Sequence, residues 1–443
     1  MNTPIVDFID RYRQSEALRL HMPGHKGNQR QGMEPYDITE IDGADSLYEA
    51  SGIIRESEQN AGSLFGAHTF YSTEGSSQCI RAMVYLSMMH AKQHGRSPRI
   101  LAGRNAHRAF ITAVALLDVD VEWLYPSEQD GYLSCSVEEE ALECALLTHK
   151  PTALYLTSPD YLGNTVDICA AAQVCRRHGV LLLVDNAHGA YLKFLQPSCH
   201  PMDLGADLCC DSAHKTLPVL TGGAYLHISK QAPSALVEQA KSALALFGST
   251  SPSYLILRSL DAVNAYLCEE YPIRLQTFTT VVQQVKSALL SHGYRLYGNE
   301  PLKLTLCTKP YGYEGYAFAQ LLQQHGLVCE FADPDFVVLM LTPELGEQGL
   351  HRLREVLLSI QPQPSLVTCP PTVEPMQRVL SVREAIFAEK ETIPVTQSVG
   401  RVLASTALCC PPAVSAVVGG ERITEQTRAY FEYYGIVTCS VVK

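Results

Sequence analysis

Short apolar segments alternate with helical segments from Ser51 onward, and this alternation constrains the fold more than any other feature of the sequence. Each apolar segment has the length of one buried strand, and a helix that connects two such strands favours a parallel sheet. Candidate strands lie at residues 99–102, 121–125, 153–157 and 180–184, and helices are predicted at 53–65 and 78–94. We therefore predict an α/β domain with a mostly parallel sheet.

Length and composition limit the classes of protein to which the chain can belong. Its 443 residues exceed the usual size of one domain, so we expect two or three. The net charge of −12 and the absence of a long basic run argue against nucleic acid or an anionic membrane as partner. No apolar segment approaches the roughly 20 residues of a membrane span. The 15 cysteines are scattered and no cleavable signal is evident, so we expect a cytoplasmic protein.

Two polar residues of types that take part in catalysis follow the candidate strand at 180–184. Asp185 comes directly after this strand, and His188 stands three residues later. Functional groups in open parallel sheets lie at the carboxyl ends of the strands. The alternative is a structural pair, in which Asp185 caps a helix and His188 has its hydrogen bonds satisfied locally.

A lysine preceded by a histidine stands between an apolar run at 206–210 and the glycine pair at 222–223, in the motif Ser212-Ala-His214-Lys215. This arrangement is typical of the lysine that holds pyridoxal phosphate. Only a primary amine can bind the cofactor aldehyde as an imine and pass it to an incoming amino acid. A solvated lysine on the surface is the alternative for Lys215.

The loops near the other strands can supply the remaining parts of such a site. Asp185 would keep the pyridine nitrogen protonated, and His188 would reach the phenolic oxygen of the cofactor. His107 follows the strand at 99–102, so it should lie on the same rim of the sheet. An imidazole in that position can stack flat on the pyridine ring.

Phosphate-binding groups are predicted at a turn that opens a helix. Gly75-Ser76-Ser77 precedes the helix at 78–94, where backbone N–H groups and the helix dipole favour an anion. Ser212 and His214 can donate to the same phosphate. The turn around Thr250, before Pro252, has the same anion-facing composition. A simple helix N-cap is the alternative for Gly75 to Ser77.

The chain is predicted to divide into three parts. Residues 1–50 form a helix over 5–20 and an arm, residues 51–298 form the large domain, and residues 299–443 form a smaller C-terminal α+β domain with a proline-rich joint near 360–372. The arm after Met22 is rich in glycine and has few periodic apolar residues. We therefore expect a partner to order it.

The motifs named so far belong to a larger set that spans most of the chain: Pro23-Gly-His-Lys26, Asp37-Ile-Thr-Glu40, Phe65-Gly-Ala67, Gly75-Ser-Ser77, Arg104-Asn-Ala-His107, Thr157-Ser-Pro159, Asp185-Asn-Ala-His188-Gly-Ala190, Ser212-Ala-His-Lys215-Thr-Leu-Pro218 and Ser249-Thr-Ser-Pro-Ser-Tyr254. By their order and spacing, the chain resembles the bacterial Orn/Lys/Arg decarboxylases. It is similar to the short form of this family, which has no receiver-like N-terminal domain.

The resemblance implies the pyridoxal-phosphate (PLP) fold type I, also called the aspartate-aminotransferase fold, with pyridoxal 5'-phosphate as cofactor. It implies that Lys215 carries the cofactor, that Asp185 pairs with the pyridine nitrogen and that His107 stacks on the ring. It further implies a homodimer or higher homo-oligomer with a shared active site. The residues implied at the phosphate are Gly75, Ser76, Ser77, Ser212 and His214, together with Thr250 from the partner subunit.

Several positions depart from the family pattern. In the cofactor half these are Cys79 for a glycine, Tyr48 and Ala50 for a histidine and a proline, Asn186 for an acidic residue, and Gly222-Gly223 for a more polar pair. In the C-terminal half, Pro411-Pro-Ala-Val414 and Gly419-Gly-Glu421 stand where the family has Pro-Gly-Ile-Pro and Pro-Gly-Glu. Glu421 is the candidate partner of the distal cation of the substrate, and an exposed structural glutamate is the alternative.

The expected reaction is the decarboxylation of lysine, ornithine or arginine to the polyamine precursor cadaverine, putrescine or agmatine, with release of CO₂. Another reaction of fold type I enzymes, such as that of an aminotransferase or a lyase, is the first alternative, because the same cofactor residues serve all of them. A catalytically weak paralogue with a binding role is the second.

Overall fold

The computed structural model describes residues 1–126, 131–372, 374–406 and 413–443. The helices are α1 (Pro4–Gln14), α2 (Ile53–Phe65), α3 (Ser76–Gln93), α4 (Arg108–Leu117), α5 (Glu139–His149), α6 (Ile168–His178), α7 (Pro201–Leu204), α8 (Ala213–Thr216), α9 (Ser234–Ala245), α10 (Tyr254–Glu269), α11 (Tyr271–Ser291), α12 (Gly315–Gln324), α13 (Gly346–Ser359), α14 (Val382–Phe387) and α15 (Glu425–Tyr433). The strands are β1 (His68–Ser72), β2 (Arg99–Gly103), β3 (Asp120–Leu124), β4 (Ala153–Thr157), β5 (Leu181–Asp185), β6 (Leu208–Asp211), β7 (Ala224–Ile228), β8 (Arg295–Tyr297), β9 (Lys303–Cys307), β10 (Phe331–Ala332), β11 (Phe336–Met340), β12 (Lys390–Pro394) and β13 (Thr438–Val442).

The largest sheet has seven strands in the order β1-β7-β6-β5-β4-β2-β3. The pairs β5–β6 and β2–β3 are parallel, whereas β7 runs antiparallel to both β6 and β1. This confirms the predicted α/β class with a mostly parallel sheet, and each of the four predicted strands forms within one residue of its predicted bounds. The helix predicted over 5–20 is shorter than expected, because it ends at Gln14 and Glu16 adopts a φ of 55°.

The described chain forms two compact units. Unit 1 comprises Met1–Pro98, Thr152–Leu154 and Ile168–Arg274. Unit 2 comprises Arg99–Pro151, Tyr155–Asp167 and Leu275–Lys443. The domain boundaries expected from the sequence stay predictions.

Unit 1 contains strands that are buried along their whole length. Every residue of β5, β6 and β7 is buried, as their apolar sequences require when both faces of a sheet are covered. In β5 the only polar side chain is that of Asp185, at the carboxyl end. The sheet therefore presents a carboxylate at the point where β5 ends and a loop begins.

The second half of the N-terminal arm is held by unit 1 itself. Ala44 and Leu47 are fully buried, Lys241 Nζ donates to the carbonyl of Leu47 at 2.6 Å, and Tyr254 Oη donates to the carbonyl of Asp45 at 2.7 Å. The sequence argument that a partner must order the arm is wrong for this half. Side chains from distant helices supply the contacts that the local sequence lacks.

Unit 2 carries two smaller antiparallel sheets, a four-stranded one of order β10-β11-β9-β8 and the pair β12-β13. Helices α12, α13 and α15 accompany them, which matches the α+β pattern expected for the C-terminal part of the chain. Among the described residues, no helix has both the length and the apolar character to cross a membrane.

Candidate active site

Lys215 and His188 meet where two parallel strands of unit 1 end. Asp185 at the end of β5 is in register with Cys210 near the end of β6, so the segments that follow both strands emerge at the same edge of the sheet. Lys215 lies in α8, one short turn after β6. Its Nζ lies 2.9 Å from His188 Nε2, within hydrogen-bond distance. The two polar segments found in the sequence thus come together as one site.

Asp185 is 2% exposed. Its Oδ1 accepts a hydrogen bond from the backbone N–H of Ala187 at 3.2 Å, and the thiol of Cys210 donates to the same oxygen at 3.6 Å. A buried carboxylate is held in a fixed orientation by such donors and is costly to leave without them. The position has the chemistry required to face a cationic or protonated ring nitrogen.

The predicted phosphate-binding residues also lie together in unit 1. Gly75 is the N-cap of α3 with a φ of 71°, which favours glycine, and Ser212 Oγ donates to Ser76 Oγ at 2.7 Å. A Cβ placed on Gly75 would lie 4.0 Å from His214 Cε1. The missing side chain of Gly75 therefore keeps space open between the helix N-terminus and His214.

The His214 ring has its orientation set by the backbone. Its Nδ1 lies 2.9 Å from the carbonyl of Gly223, so Nδ1 carries the proton and donates it. Burial lowers the pKa of His214, and the Gly223 carbonyl opposes this shift while Lys215 adds to it. An anion beside the ring would raise that pKa and make Nε2 a donor as well.

The donor set of unit 1 fits pyridoxal phosphate. Lys215 supplies the primary amine and Asp185 supplies a buried carboxylate. The N-terminus of the 18-residue helix α3, Ser212 and His214 supply an anion site with room beside Gly75.

A buried carboxylate that the sequence reasoning missed lies next to this site. Asp211 is fully buried, and its Oδ2 accepts from His200 Nε2 at 3.0 Å and from His227 Nε2 at 3.1 Å. Asn186 Nδ2 donates to Asp211 Oδ1 at 2.7 Å. Burial opposes the charge, but the two histidines hold the pKa of Asp211 well below its usual value. The only sequence signal was its place just before Ser212.

Asn186 and Asp211 link the two segments of the site. Asn186 follows Asp185 and Asp211 precedes Ser212, so their hydrogen bond joins the start of one segment to the start of the other. An amide at position 186 can donate to Asp211, whereas an ionised carboxylate cannot.

Other predicted site residues belong to unit 2 or to the surface. His107 is the N-cap of α4, where its Nδ1 accepts from the backbone N–H of Ala109 at 3.1 Å. Thr250 is exposed in the loop before α10. The roles of both residues toward the cofactor stay predictions.

Glu421 is buried in unit 2 and already has a cationic partner. Its Oε2 accepts from Arg104 Nη2 at 2.6 Å and from the backbone N–H of Val418 at 2.7 Å. Burial raises the pKa of Glu421, and Arg104 opposes that shift. A substrate cation would have to share this carboxylate with Arg104, and the predicted substrate role stays a prediction. The Pro411-Pro412 part of the same C-terminal pattern lies outside the described residues.

Two family models match the chain, one for each end. The major-domain model of the Orn/Lys/Arg decarboxylases matches residues 3–292, and the C-terminal-domain model of the same family matches residues 369–440.

Relatives with curated names match along nearly the whole chain. An arginine decarboxylase of Halalkalibacterium halodurans is 28% identical, over 97% of this chain and 92% of the relative. An arginine decarboxylase of Bacillus subtilis is 27% identical, also over 97% of this chain and 92% of the relative.

Solved structures share the fold at low identity. The constitutive lysine decarboxylase of E. coli matches with a TM-score of 0.75 and 17% identity, over 100% of this chain and 82% of that chain. Lysine decarboxylase A from Pseudomonas aeruginosa matches with a TM-score of 0.81 and 17% identity, over 99% and 80%. With the major-domain model matched from residue 3 to residue 292, the chain belongs to the Orn/Lys/Arg decarboxylase family.

Proposed function

We propose that this chain is a PLP-dependent decarboxylase of a basic L-amino acid. The contact of Lys215 with His188 is the observation that supports the proposal most, because a primary amine and an imidazole then lie together beyond the ends of β5 and β6. Buried Asp185 is the last residue of β5. The family membership supports the reaction class. The fold alone supports no particular reaction, since one fold type serves many.

Bound pyridoxal phosphate supplies an electron-accepting ring that stabilises the charge left at Cα when CO₂ departs. Asp185 would keep the ring nitrogen protonated, for which a buried carboxylate is far more effective than a solvated one. Lys215 would anchor the cofactor in the resting enzyme and, once the substrate amine has replaced it, would deliver a proton from Nζ to the substrate carbon. His188 orients Nζ through the 2.9 Å contact and exchanges the proton with it.

The anion site of unit 1 would hold the phosphate end. Ser212, His214 and the N-terminus of α3 would donate to the phosphate, with Ser76 and Ser77 in the first turn of that helix. Thr250 would add a donor from the partner subunit, and His107 would stack on the ring. We propose these roles from the family pattern and the exposure of the Thr250 loop.

We also propose a cytoplasmic homodimer with shared active sites, and a division into an arm (1–50), a large domain (51–298) and a small domain (299–443). Sedimentation velocity at assay concentration tests the dimer. A fully active monomer would contradict the shared site.

Arginine is the first substrate to test, because the curated relatives described above are named arginine decarboxylases. The purified holoenzyme is incubated with arginine, lysine and ornithine in turn, and agmatine, cadaverine, putrescine and CO₂ are measured. We expect one amine and an equal amount of CO₂. Formation of a keto acid without CO₂ would instead indicate an aminotransferase.

Lys215 is tested independently of the substrate. Borohydride reduction of the holoenzyme should attach the cofactor to the peptide that contains Lys215, and Lys215→Ala should lose both this attachment and turnover by several orders of magnitude. Attachment at another lysine would exclude Lys215 as the anchor.

A further inference from the structure

A cavity of about 370 Å³ lies within unit 2. Its lining combines aromatic rings with two carboxylates. The aromatic side chains are Tyr132, Tyr297, Phe336, Tyr430 and Tyr434, and the carboxylates are Asp333 and Asp335. None of these residues has a part in the reaction described above.

Asp333 lines this cavity and has one carboxylate oxygen without a hydrogen-bond partner in the part of the chain that the structure describes. The residue is 2% exposed, and its Oδ1 accepts from the backbone N–H groups of Asp335 at 2.8 Å and Phe336 at 2.7 Å. Its Oδ2 is buried and has no hydrogen-bond partner among the described residues. Buried carboxylates are normally paired with a cation or with several donors, because an unpaired one is costly.

Asp335 differs from Asp333 in already having a cation. Its Oδ1 accepts from Lys309 Nζ at 3.0 Å and from Tyr433 Oη at 2.6 Å. Lys309 therefore pairs with Asp335 and, at 3.8 Å, with Glu314, whereas no described cation forms an ion pair with Asp333. Of the two carboxylates of this cavity, Asp333 is therefore the one without a cationic partner among the described residues.

The tyrosines of the cavity pack as a cluster. The ring centroid of Tyr132 lies 5.4 Å from that of Tyr430 and 5.0 Å from that of Tyr434, and the last two are 4.7 Å apart. Burial raises the pKa of Tyr434, and Asp333 raises it further, so this phenol stays neutral. Neutral aromatic faces beside a carboxylate attract organic cations through the ring quadrupole and exclude small hydrated ions.

We propose that this cavity binds a small organic cation with N–H donors, an alkylammonium or a guanidinium, through Asp333 Oδ2 and the tyrosine cluster. The ligand donates to Oδ2, and its apolar part lies against the rings. The site goes beyond the proposed decarboxylation, although basic amino acids and their amine products belong to the same chemical class. It would let such a cation bind the enzyme without reacting.

The charge of Asp333 gives the site a pH dependence. Burial raises the pKa of Asp333 to about 7, and Asp335 raises it while Lys309 lowers it. The other titratable groups that act on this region are Glu314, Tyr132, Tyr433 and Tyr434. Because only the ionised form attracts a cation, affinity should rise as the pH increases from 6 to 8, and binding at pH 6 should release a proton.

Calorimetric titration of the holoenzyme with methylguanidinium tests the site. This probe donates N–H groups but does not condense with the cofactor aldehyde as a primary amine does. Asp333→Asn keeps an oxygen for the backbone N–H groups of Asp335 and Phe336 but removes the charge. Glu347→Gln, at an exposed glutamate in the first turn of α13, is the matched control for lost charge.

We expect at least tenfold weaker binding in Asp333→Asn and unchanged binding in Glu347→Gln, with a cooperative thermal transition in all three proteins. Binding in the wild type should also strengthen at least threefold from pH 6 to pH 8. Unchanged affinity in Asp333→Asn, no saturable binding in the wild type, or affinity independent of pH would each overturn the proposal. The wild-type pH series keeps the proposal falsifiable even if the variant fails to fold, because an affinity that does not change with pH overturns it.

Discussion

His188 Nε2 lies 2.9 Å from Lys215 Nζ, a contact that joins the loop after β5 to the helix after β6. The two residues are 27 positions apart in the chain. Their contact means that the proton state of the lysine and the orientation of the imidazole depend on each other.

His188→Ala should lower kcat about 100-fold if the variant loses the group that we propose to orient Lys215 Nζ and exchange its proton. The cofactor should stay attached to Lys215, and the pH profile of kcat should shift. Steady-state assays over a pH series, together with absorbance of the bound cofactor, measure these effects. Normal kcat with an unchanged profile would exclude a role for His188 in proton transfer.

Asp185→Asn should reduce kcat by at least 1,000-fold while the protein still binds the phosphate end of the cofactor. A neutral amide cannot hold a ring nitrogen protonated as a buried carboxylate does. Asp185→Glu is the control that keeps the charge at a changed distance. Cofactor content and turnover of both variants are measured, and near-normal turnover of the amide variant would refute the assignment.

Asn186→Asp should destabilise the protein by about 2–4 kcal/mol, because a second carboxylate would be buried against Asp211 Oδ1 without a cation of its own. Turnover should fall together with stability, because Asn186 is the residue next to Asp185. Urea unfolding of the cofactor-loaded enzyme measures the change.

The double variant Asn186→Asp/Asp211→Asn should recover part of the lost stability. The amide oxygen at 211 can accept from His200 and His227, while its nitrogen donates to the new carboxylate at 186. Strictly additive losses in the double variant would show that the two side chains do not interact.

Because of Asp261, unit 1 should be more stable at mildly acidic pH than at neutral pH. Its Oδ2 accepts from the backbone N–H groups of Ile5 and Val6 at 2.9 and 3.0 Å, and Ser57 Oγ donates to its Oδ1 at 2.5 Å. Burial raises the pKa of Asp261 to about 6, although these donors oppose the shift. The folded state therefore holds the proton more tightly than the unfolded state does, and stability falls as the pH rises from about 4 to 6.

Asp261→Asn should remove this dependence and leave an oxygen for the N-terminus of α1. Comparing the free energy of unfolding of wild type and variant at pH 5 and pH 7 isolates the residue from other buried acids. The variant should lose less stability than the wild type between these two values, by about 1.3 kcal/mol. Equal losses would show that Asp261 titrates near its usual pKa.

The sequence by itself determined the α/β class, the positions of β2 to β5 and the location of the candidate catalytic side chains near strand ends. Apolar runs that can be buried on both faces identify strands, and a polar residue directly after such a run must lie at a sheet edge. For this reason Asp185, His188 and Lys215 could be brought together from their places in the chain. Local pattern was sufficient because each of them lies at the end of a buried strand or within four residues after one.

Only the tertiary structure decided which distant side chains meet. Ile5 and Asp261 are 256 residues apart, and Arg104 and Glu421 are 317 apart, and no periodicity in the sequence indicates either contact. The same holds for the two histidines around Asp211 and for the uncompensated carboxylate of Asp333. Each of these buried polar groups needs a hydrogen-bonding or ionic partner, and the topology of the chain determines whether another residue lies close enough to be that partner.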